Sequence, residues 1–286
     1  MDVFNSWQFN VIGYLITVVV FFQFYKLAVR KAQRDGAATV LLQTIASIAI
    51  LFLVPLLPIT FPTDIRVYLL LIGACVFYGI NDRLQTTSRK HLEVSVFSMV
   101  SQLSNVFLIL IGLTVFREPV VLLKLLGAGL ILIGNVFLFY KRGKIEPNKY
   151  VWIGVLATFI FAVAISIDIG ISKQFNLPFY IMLTLFIPAS MIFFGERIKI
   201  NEVAREYNGN DRKYYLTTGI AWAFLIFFSL RSFQFGKVTT VVPLQATSVL
   251  LNVVIAYLFF GEKKDRLKKL ISAILIVIGV CFTVFG

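Results

Sequence analysis

The chain of 286 residues is 59% hydrophobic and only 14% charged. A soluble domain is about half apolar and a quarter charged, so a chain of this composition cannot hide its apolar surface from water. A lipid bilayer removes that cost, because a helix of about 20 apolar residues crosses its hydrocarbon layer. The net charge of +13 is spread over connecting segments, not gathered on one face between aromatic residues. This pattern argues against nucleic acid as a partner.

Ten apolar segments of membrane-spanning length follow one another along the chain. They cover residues 9–27, 37–60, 67–86, 92–115, 119–140, 150–172, 177–195, 213–235, 240–260 and 267–285. Most connections between them are short, and only residues 196–212 form a longer polar connection. The sequence therefore predicts an all-α polytopic membrane protein with ten transmembrane helices.

Basic residues concentrate in alternate connections. If both termini lie on one side, 21 of the 27 Lys and Arg residues lie at the first, third, fifth, seventh and ninth connections, among them Arg89 and Lys90 at the third. Basic connections stay in the cytoplasm, so this bias predicts a multi-pass protein of the plasma (inner) membrane with both termini outside. The positive charge is interpreted as a topology signal and not as a ligand site.

A repeated pattern divides the chain into two halves. Residues 124–134 (KLLGAGLILIG) recur as residues 269–279 (KLISAILIVIG), and seven of the eleven positions are identical. Each copy follows a Phe-x-Glu junction that ends at Glu118 or Glu262. We therefore predict two five-helix repeats over residues 1–143 and 144–286. Because five is an odd number, the second half enters the membrane from the opposite side and the repeats are inverted.

Two five-helix halves that each close with this pattern resemble the drug/metabolite transporter superfamily, in particular its EamA-like family. The strongest match is the second junction, where residues 251–262 read LNVVIAYLFFGE. The resemblance implies a ten-helix bundle around a central cavity, and export or exchange of small metabolites. It also implies that both termini lie in the cytoplasm, in contrast to the charge bias, so the orientation stays open.

Polar side chains on the fourth and ninth segments are the candidate solute-binding residues. They are Ser98, Gln102 and Asn105 on one helical face, and Gln245, Ser248 and Asn252 on the equivalent segment of the second half. Amide groups in hydrocarbon need a hydrogen-bond partner or a wet cavity. Inverted repeats place the solute near the midplane, so two matching polar stripes predict a shared polar cavity. The alternative is that they form interhelical hydrogen bonds worth about 0.6 kcal/mol each.

Charged residues inside the spans form a second group of candidates. They are Lys26, Asp82 and Arg83 in the first half, and Asp168 and Arg231 in the second. A charge at the centre of a span costs about 2.5–3.5 kcal/mol, so such residues pair with one another or face water. We expect them to gate the two sides or to bind charged groups of the solute, with Asp82 or Asp168 as the carrier if transport is coupled to protons. The alternatives are structural ion pairs, or snorkelling of Lys26 and Arg83 to the headgroups.

Three glycines of the first repeated pattern, Gly127, Gly129 and Gly134, allow a close approach between the fifth helix and a neighbour. That neighbour lies either within the monomer or across a homodimer.

The sequence contains no Gly-x-Ser-x-Gly elbow, no His-Glu-x-x-His, no nucleotide-binding loop and no His/Cys metal spacing. We therefore expect no catalytic residues, no metal and no cofactor. The chain is interpreted as a secondary transporter that moves a small metabolite, such as an amino acid, by alternating access. The alternative is a non-transporting membrane scaffold or sensor with the same fold.

Overall fold

The computed structural model describes residues 6–115, 117, 120–141, 144–145, 148–209, 211–236, 241, 244–261 and 265–285. The helices in this part are α1 Trp7–Val29, α2 Asp35–Leu51, α3 Ile65–His91, α4 Val94–Val100, α5 Leu103–Thr114, α6 Leu122–Phe139, α7 Lys149–Ile171, α8 Leu177–Gly195, α9 Ile200–Asn208, α10 Arg212–Phe235, α11 Ser248–Phe260 and α12 Arg266–Phe285. Two short 3-10 turns cover Val54–Leu56 and Ser172–Gln174, and Tyr140–Lys141 pairs antiparallel with Lys144–Ile145.

Nine helical segments in this part of the chain are long and apolar enough to cross a membrane. The predicted all-α polytopic membrane fold is therefore confirmed. The predicted ninth segment corresponds to a shorter apolar helix, Leu244–Phe260, which contains α11. The count of ten spans stays a prediction. Glu118 and Glu262, which close the two junctions, lie outside the described residues.

Polar side chains fix the first turns of several spans. The side chains of Ser6, Asp64, Asn148 and Asn176 accept main-chain N–H groups at the starts of α1, α3, α7 and α8. The first N–H groups of a helix have no partner within it, so a capping oxygen sets where the helix begins.

Two apolar cores join most of the helices. One core joins α1, α2, α8 and α10 through buried residues such as Tyr25, Leu42 and Trp222. The other joins α4, α5, α6, α7, α11 and α12 through residues such as Ile131 and Ile276. Helices α3 and α7 also pack against each other. Large apolar side chains on the outer surface remain exposed, which suits contact with lipid.

Four extensive helix pairs each join the first half of the sequence to the second. They are α1 with α10, α2 with α8, α3 with α7, and α6 with α12. The α6–α12 pair depends on small residues, since a Cβ on Gly127 would lie 2.5 Å from the carbonyl oxygen of Gly279. A Cβ on Gly134 would lie 2.8 Å from Ile276, whereas one on Gly129 would meet nothing within 4 Å. Gly127 and Gly134 therefore serve a close approach within the monomer.

The structure changes three details of the predicted elements. The third helix continues to His91, beyond the predicted end at residue 86. The fourth segment divides into α4 and α5 at Ser101 and Gln102. The polar connection at 196–212 contains the helix α9, which packs against α2 at the end of the bundle.

Candidate functional site

Helix α3 carries polar side chains along one face, at Tyr78, Asp82, Gln85 and Arg89. The spacings of four, three and four residues place them one above another, because an α-helix has 3.6 residues per turn. At a rise of 1.5 Å per residue they extend over about 16 Å. We call these four residues the α3 polar row. Asp82 and Arg89 are only 4% and 5% exposed.

The carboxylate of Asp82 is held by neutral donors. Its Oδ2 accepts from Nε2 of Gln43 at 2.7 Å, and its Oδ1 accepts from Nδ2 of Asn81 at 2.7 Å and from Nε2 of Gln85 at 2.6 Å. Three amide donors replace the water that the carboxylate loses on burial. Among the described residues, Oε1 of Gln43 has no hydrogen-bond partner.

The guanidinium group of Arg89 lies among aromatic rings. Its Nε donates to Oε1 of Gln85 at 3.2 Å, so Gln85 bridges Arg89 and Asp82. Its Cζ lies 4.1–4.8 Å from four ring centroids, which belong to Phe21, Phe22, Tyr25 and Phe97. We call these four rings the aromatic cage. Ring faces attract a cation at these distances.

Hydroxyl groups connect α1, α2 and α3 next to the aromatic cage. The Tyr25 hydroxyl on α1 shares a hydrogen bond of 2.8 Å with Oγ1 of Thr86 on α3. Thr39 on α2 donates to the same oxygen at 2.7 Å. These bonds fix α1, α2 and α3 around the polar row.

A buried amide pair joins the two halves of the chain. Nε2 of Gln23 on α1 lies 3.3 Å from both the main-chain oxygen and Oδ1 of Asn252 on α11. Oε1 of Gln23 and Nδ2 of Asn252 have no partner among the described residues. The pair thus retains one acceptor and one donor for another molecule.

The polar side chains of the fourth and ninth segments bond to several different partners. Nδ2 of Asn105 lies 3.3 Å from Oε1 of Gln102, within the same segment. Nε2 of Gln245 donates to Oγ of Ser232 on α10 at 2.9 Å. Ser248 is buried and bonded to the Tyr14 hydroxyl on α1.

Ser98 is buried on α4, which packs against α11. Gln102 and Asn105 bond to each other. Among the hydrogen bonds described, none joins a residue of the first stripe to a residue of the second stripe.

Both stripe segments contain a tightened turn. The N–H of Gln102 donates to the carbonyl of Met99 at 3.1 Å, and that of Thr247 donates to the carbonyl of Leu244 at 3.2 Å. These i to i+3 bonds are of the 3-10 type, which often marks a hinge within a helix. A shift of 145 residues, the spacing of the repeated patterns, places Gln102 on Thr247. The two turns therefore occupy equivalent positions of the halves.

Asp168 and Arg231 have different partners. Asp168 accepts from the Tyr78 hydroxyl at 2.7 Å and from the Tyr180 hydroxyl. Nη1 of Arg231 donates to Oε1 of Gln234 at 2.9 Å, and its Cζ lies 4.7 Å from the Phe235 ring. In the part of the chain described, no ion pair joins Asp168 to Arg231. Asp168 instead contacts the α3 polar row through Tyr78.

Lys26 and Arg83 bind groups at one end of the bundle. We call it the basic end, because the connections that are rich in Lys and Arg are assigned to it. Nζ of Lys26 donates to the carbonyl of Lys90 at 2.7 Å, at the last turn of α3. Nε of Arg83 lies 2.5 Å from Oε1 of Glu196, and its Nη1 lies 3.8 Å from Oδ2 of Asp35. Arg83 and Asp82 are adjacent in sequence but face different partners.

The cavities described lie at the same end of the bundle. One, of about 310 Å³, is lined by Gln33, Arg34, Glu202, Arg205 and Glu206. Glu206 accepts the main-chain N–H groups of Gln33 and Arg34, which ties α9 to the connection between α1 and α2. The main-chain N–H of Lys199, and then the Arg34 guanidinium, hold the pKa of the Glu202 carboxyl below its usual value. These contacts attach α9 to the connection between α1 and α2 at the basic end.

Sequence reasoning missed five polar residues of this arrangement, namely Gln23, Gln43, Tyr78, Gln85 and Arg89. It assigned Arg89 to the third connection, and that assignment is wrong because Arg89 lies within α3 and is buried. The helical spacing of Asp82, Gln85 and Arg89 was a usable signal, had the third span been extended by one turn.

A bundle of apolar helices with buried polar groups between them defines a polytopic integral membrane protein. Residues 5–140 match the EamA-like transporter family, which belongs to the drug/metabolite transporter superfamily. These residues are therefore similar to a family whose members are generally transporters of small solutes. The resemblance inferred from the sequence is confirmed.

Solved structures share the fold, and one of them is a protein of known crystal structure. It superposes with a TM-score of 0.64 at 15% sequence identity, over 96% of this chain and 98% of its own. At this identity the likeness concerns the fold alone. A search of curated proteins finds no significant match to this sequence.

Proposed function

We propose that this protein is a secondary transporter of a small metabolite, working as an exporter or exchanger. It moves the solute by alternating access between two inverted five-helix halves, residues 1–143 and 144–286. Inverted repeats support this mechanism because exchanging the conformations of the halves opens one side of the membrane and closes the other.

The pairing of helices supports two related halves. The first, third, sixth and eighth spans are α1, α3, α7 and α10, and the contacts of α1 with α10 are matched by those of α7 with α3. The contacts of α2 with α8 and of α6 with α12 each join helices of the same rank in the two halves. A pseudo-twofold axis in the membrane plane accounts for this pattern.

The equivalent tightened turns at Gln102 and Thr247 support a conformational role for the stripe segments. Interrupted helices at corresponding positions of two halves are characteristic of solute sites in secondary transporters. We place Ser98, Gln102, Asn105, Gln245, Ser248 and Asn252 along the solute path on this basis.

The observation that carries the proposal is a set of buried polar groups inside the bundle, of which Gln23 and Asn252 join the two halves. Asp82, Gln43, Gln23 and Asn252 lie within spans, and three of their amide atoms lack partners in the described part of the chain. A buried unpaired polar atom costs about 1–3 kcal/mol. A purely structural bundle gains nothing from this cost, whereas a solute that accepts and donates hydrogen bonds recovers it.

The charged residues act on the two sides in this proposal. Lys26 and Arg83, with Glu196, hold the basic end closed, and Asp168 and Arg231 act near the other end. If transport is coupled to protons, Asp82 and Asp168 are the carboxylates within the spans that carry them.

The test combines binding with flux. Purified protein is screened by thermal shift against amino acids, sugars, nucleotides and drug-like cations, and each hit is followed in proteoliposomes by counterflow. A ligand at 100 times its Kd adds about 2.7 kcal/mol to the apparent stability. We expect Gln43→Met to abolish flux of the hit, since Gln43 is fully buried beside Asp82. Gln8→Met, an exposed glutamine on α1, is the matched control and should leave flux unchanged.

A folded Gln43→Met protein that transports like the control would contradict the proposed path. Binding without flux in the wild-type protein would favour the alternative of a non-transporting sensor.

A further inference from the structure

The Arg89 side chain is buried in the bundle although its residue lies near the end of α3. It lies two residues before the end of α3, where a long basic side chain usually extends to the interface. Its side chain instead runs back along the helix, and Nε reaches the Gln85 side chain one turn deeper. Only 5% of the residue is exposed. Arg89 could extend to the membrane interface from this position but does not. We take this as an indication that its charge acts inside the bundle.

The two terminal nitrogens of Arg89 have no acceptor within the described residues. The single side-chain hydrogen bond of this arginine uses Nε. Other cations at the same end of the bundle do contact a carboxylate. These pairs are Arg83 with Glu196, Lys90 with Asp35, Arg34 with Glu202, and Lys269 with Glu93. Arg89 is as buried as Lys269 and yet lacks such a partner.

The aromatic cage stabilises the charge without using its hydrogen bonds. The four ring faces attract the cation and exclude water from the guanidinium. Ring faces offer no strong hydrogen-bond acceptor. The N–H groups on the outer edge of the guanidinium therefore remain available, and their fork geometry matches two oxygens of an oxyanion.

The nearest carboxylate is kept at a distance by Gln85. This amide accepts from Arg89 on one side and donates to Asp82 on the other. Gln43 and Asn81 occupy the remaining positions around Asp82. Asp82 compensates the charge of Arg89 through the amide bridge but does not occupy its terminal nitrogens.

We propose that Arg89 binds the oxyanion, a carboxylate or a phosphate, of the solute that this protein transports. The proposal rests on the proposed transport function and deepens it, since it restricts the solutes to small molecules with an oxyanion group. Arg89 supplies two parallel hydrogen bonds and the charge, the aromatic cage holds the guanidinium plane, and the unpaired amide atoms of Gln23 and Asn252 are available to the rest of the solute.

The experiment compares matched acid and neutral probes. The carboxylate arm uses L-leucine against L-leucinamide and benzoate against benzamide, and the phosphate arm uses glycerol 3-phosphate against glycerol. Binding to purified protein is measured by thermal shift and calorimetry, separately from flux in proteoliposomes. If a carboxylate probe binds, the oxyanion is a carboxylate, and if glycerol 3-phosphate binds, it is a phosphate.

We expect an acid probe to bind wild-type protein at least tenfold more tightly than its neutral counterpart. Arg89→Gln should remove that preference, and Arg89→Lys should retain part of it, because lysine keeps the charge but not the fork. Lys269→Gln is the control, since Lys269 is equally buried but has its own carboxylate partner in Glu93, and this variant should leave the preference intact. Melting temperature and elution profile establish that each variant is folded.

Three results would overturn the proposal. They are equal binding of acid and neutral probes, an acid preference that survives in folded Arg89→Gln and Arg89→Lys, and no binding of any acid probe to folded wild-type protein. Binding that depends on Arg89 without any flux would support the oxyanion site and contradict the transport function, so the two failures are distinguishable.

Discussion

Gln23 and Asn252 are 229 residues apart in the sequence, and the amide nitrogen of Gln23 contacts both oxygens of Asn252 in the core of the bundle. The contact joins the first helix to the stripe segment of the second half. Its two distances of 3.3 Å indicate a bifurcated and therefore weak hydrogen bond. The pair is better suited to exchange partners than to hold the halves together.

Replacing either residue should therefore impair transport more than stability. We expect Gln23→Leu and Asn252→Leu to lower the free energy of unfolding by about 0.6 kcal/mol, the mean for a hydrogen bond between membrane helices. Flux should fall at least tenfold in each variant. The measurements are melting temperature and proteoliposome flux, with the exposed Gln8→Leu on the same helix as the control. A large loss of stability with unchanged flux would assign the pair a structural role.

The tightened turns at Gln102 and Thr247 should open more readily than the helices around them. Helical i to i+4 bonds are replaced there by i to i+3 bonds of poorer geometry. We expect main-chain amides at 101–105 and 247–251 to exchange hydrogen about tenfold faster than those at 131–134 in α6. Hydrogen–deuterium exchange with mass spectrometry measures this directly. Equal protection in all three regions would contradict a hinge.

The spans could be predicted from the sequence because hydrocarbon burial depends on local composition. Each predicted segment needed only its own run of apolar residues, and nine such helices are found in the described part of the chain. The polar row was harder to find, since it depends on where α3 ends and on which face of the helix is buried. Arg89 was assigned to a connection because, from the sequence alone, a charged residue beside a basic loop fits a topology signal as well as it fits a buried site.

Contacts between distant residues could not be predicted from a single sequence. The spacing predicted Gln102 and Asn105 on one helical face, but nothing in it indicated that they would bond to each other. An ion pair between Asp168 and Arg231 was one alternative offered by the sequence, whereas two tyrosine hydroxyls occupy the carboxylate. Tyrosines are common in apolar segments, so Tyr78 and Tyr180 carried no signal of their own.

The orientation in the membrane can be tested by labelling single cysteines. In a Cys75→Ser, Cys281→Ser background, a maleimide that cannot cross membranes should label Gln8→Cys on intact cells. Arg205→Cys, on the exposed face of α9, should react only after permeabilisation. This outcome follows from the excess of basic residues on the α9 side, which stays in the cytoplasm. The reverse labelling would place both termini in the cytoplasm, as the family resemblance implies.

The ion pair between Arg83 and Glu196 should couple weakly. Both side chains are about one-third exposed, at 29% and 33%, so solvent screens their attraction. A double-mutant cycle with Arg83→Gln and Glu196→Gln should give a coupling energy of about 0.2–1 kcal/mol from chemical or thermal unfolding. Strictly additive effects would contradict the contact. A flux defect in Arg83→Gln with an unchanged melting temperature would favour a gating role.

The crossing of α6 and α12 should tolerate a methyl group at Gly129 and not at Gly127. A Cβ at Gly127 would meet main-chain atoms of α12, including the Gly279 carbonyl at 2.5 Å, and neither backbone can move away without separating the helices. Overpacking of this kind costs about 1–3 kcal/mol. A Cβ at Gly129 meets nothing within 4 Å, and alanine there gains helix propensity.

We therefore expect Gly127→Ala to lower the melting temperature and Gly129→Ala to maintain or raise it. Light scattering of both purified variants adds a second readout, because Gly129 faces away from the bundle. If Gly129→Ala converted a dimer to a monomer, the open side of α6 would be an interface between two copies of the chain. If both variants melted with the wild type, the close approach of α6 and α12 would itself be contradicted, since a methyl group cannot share the space of a carbonyl oxygen.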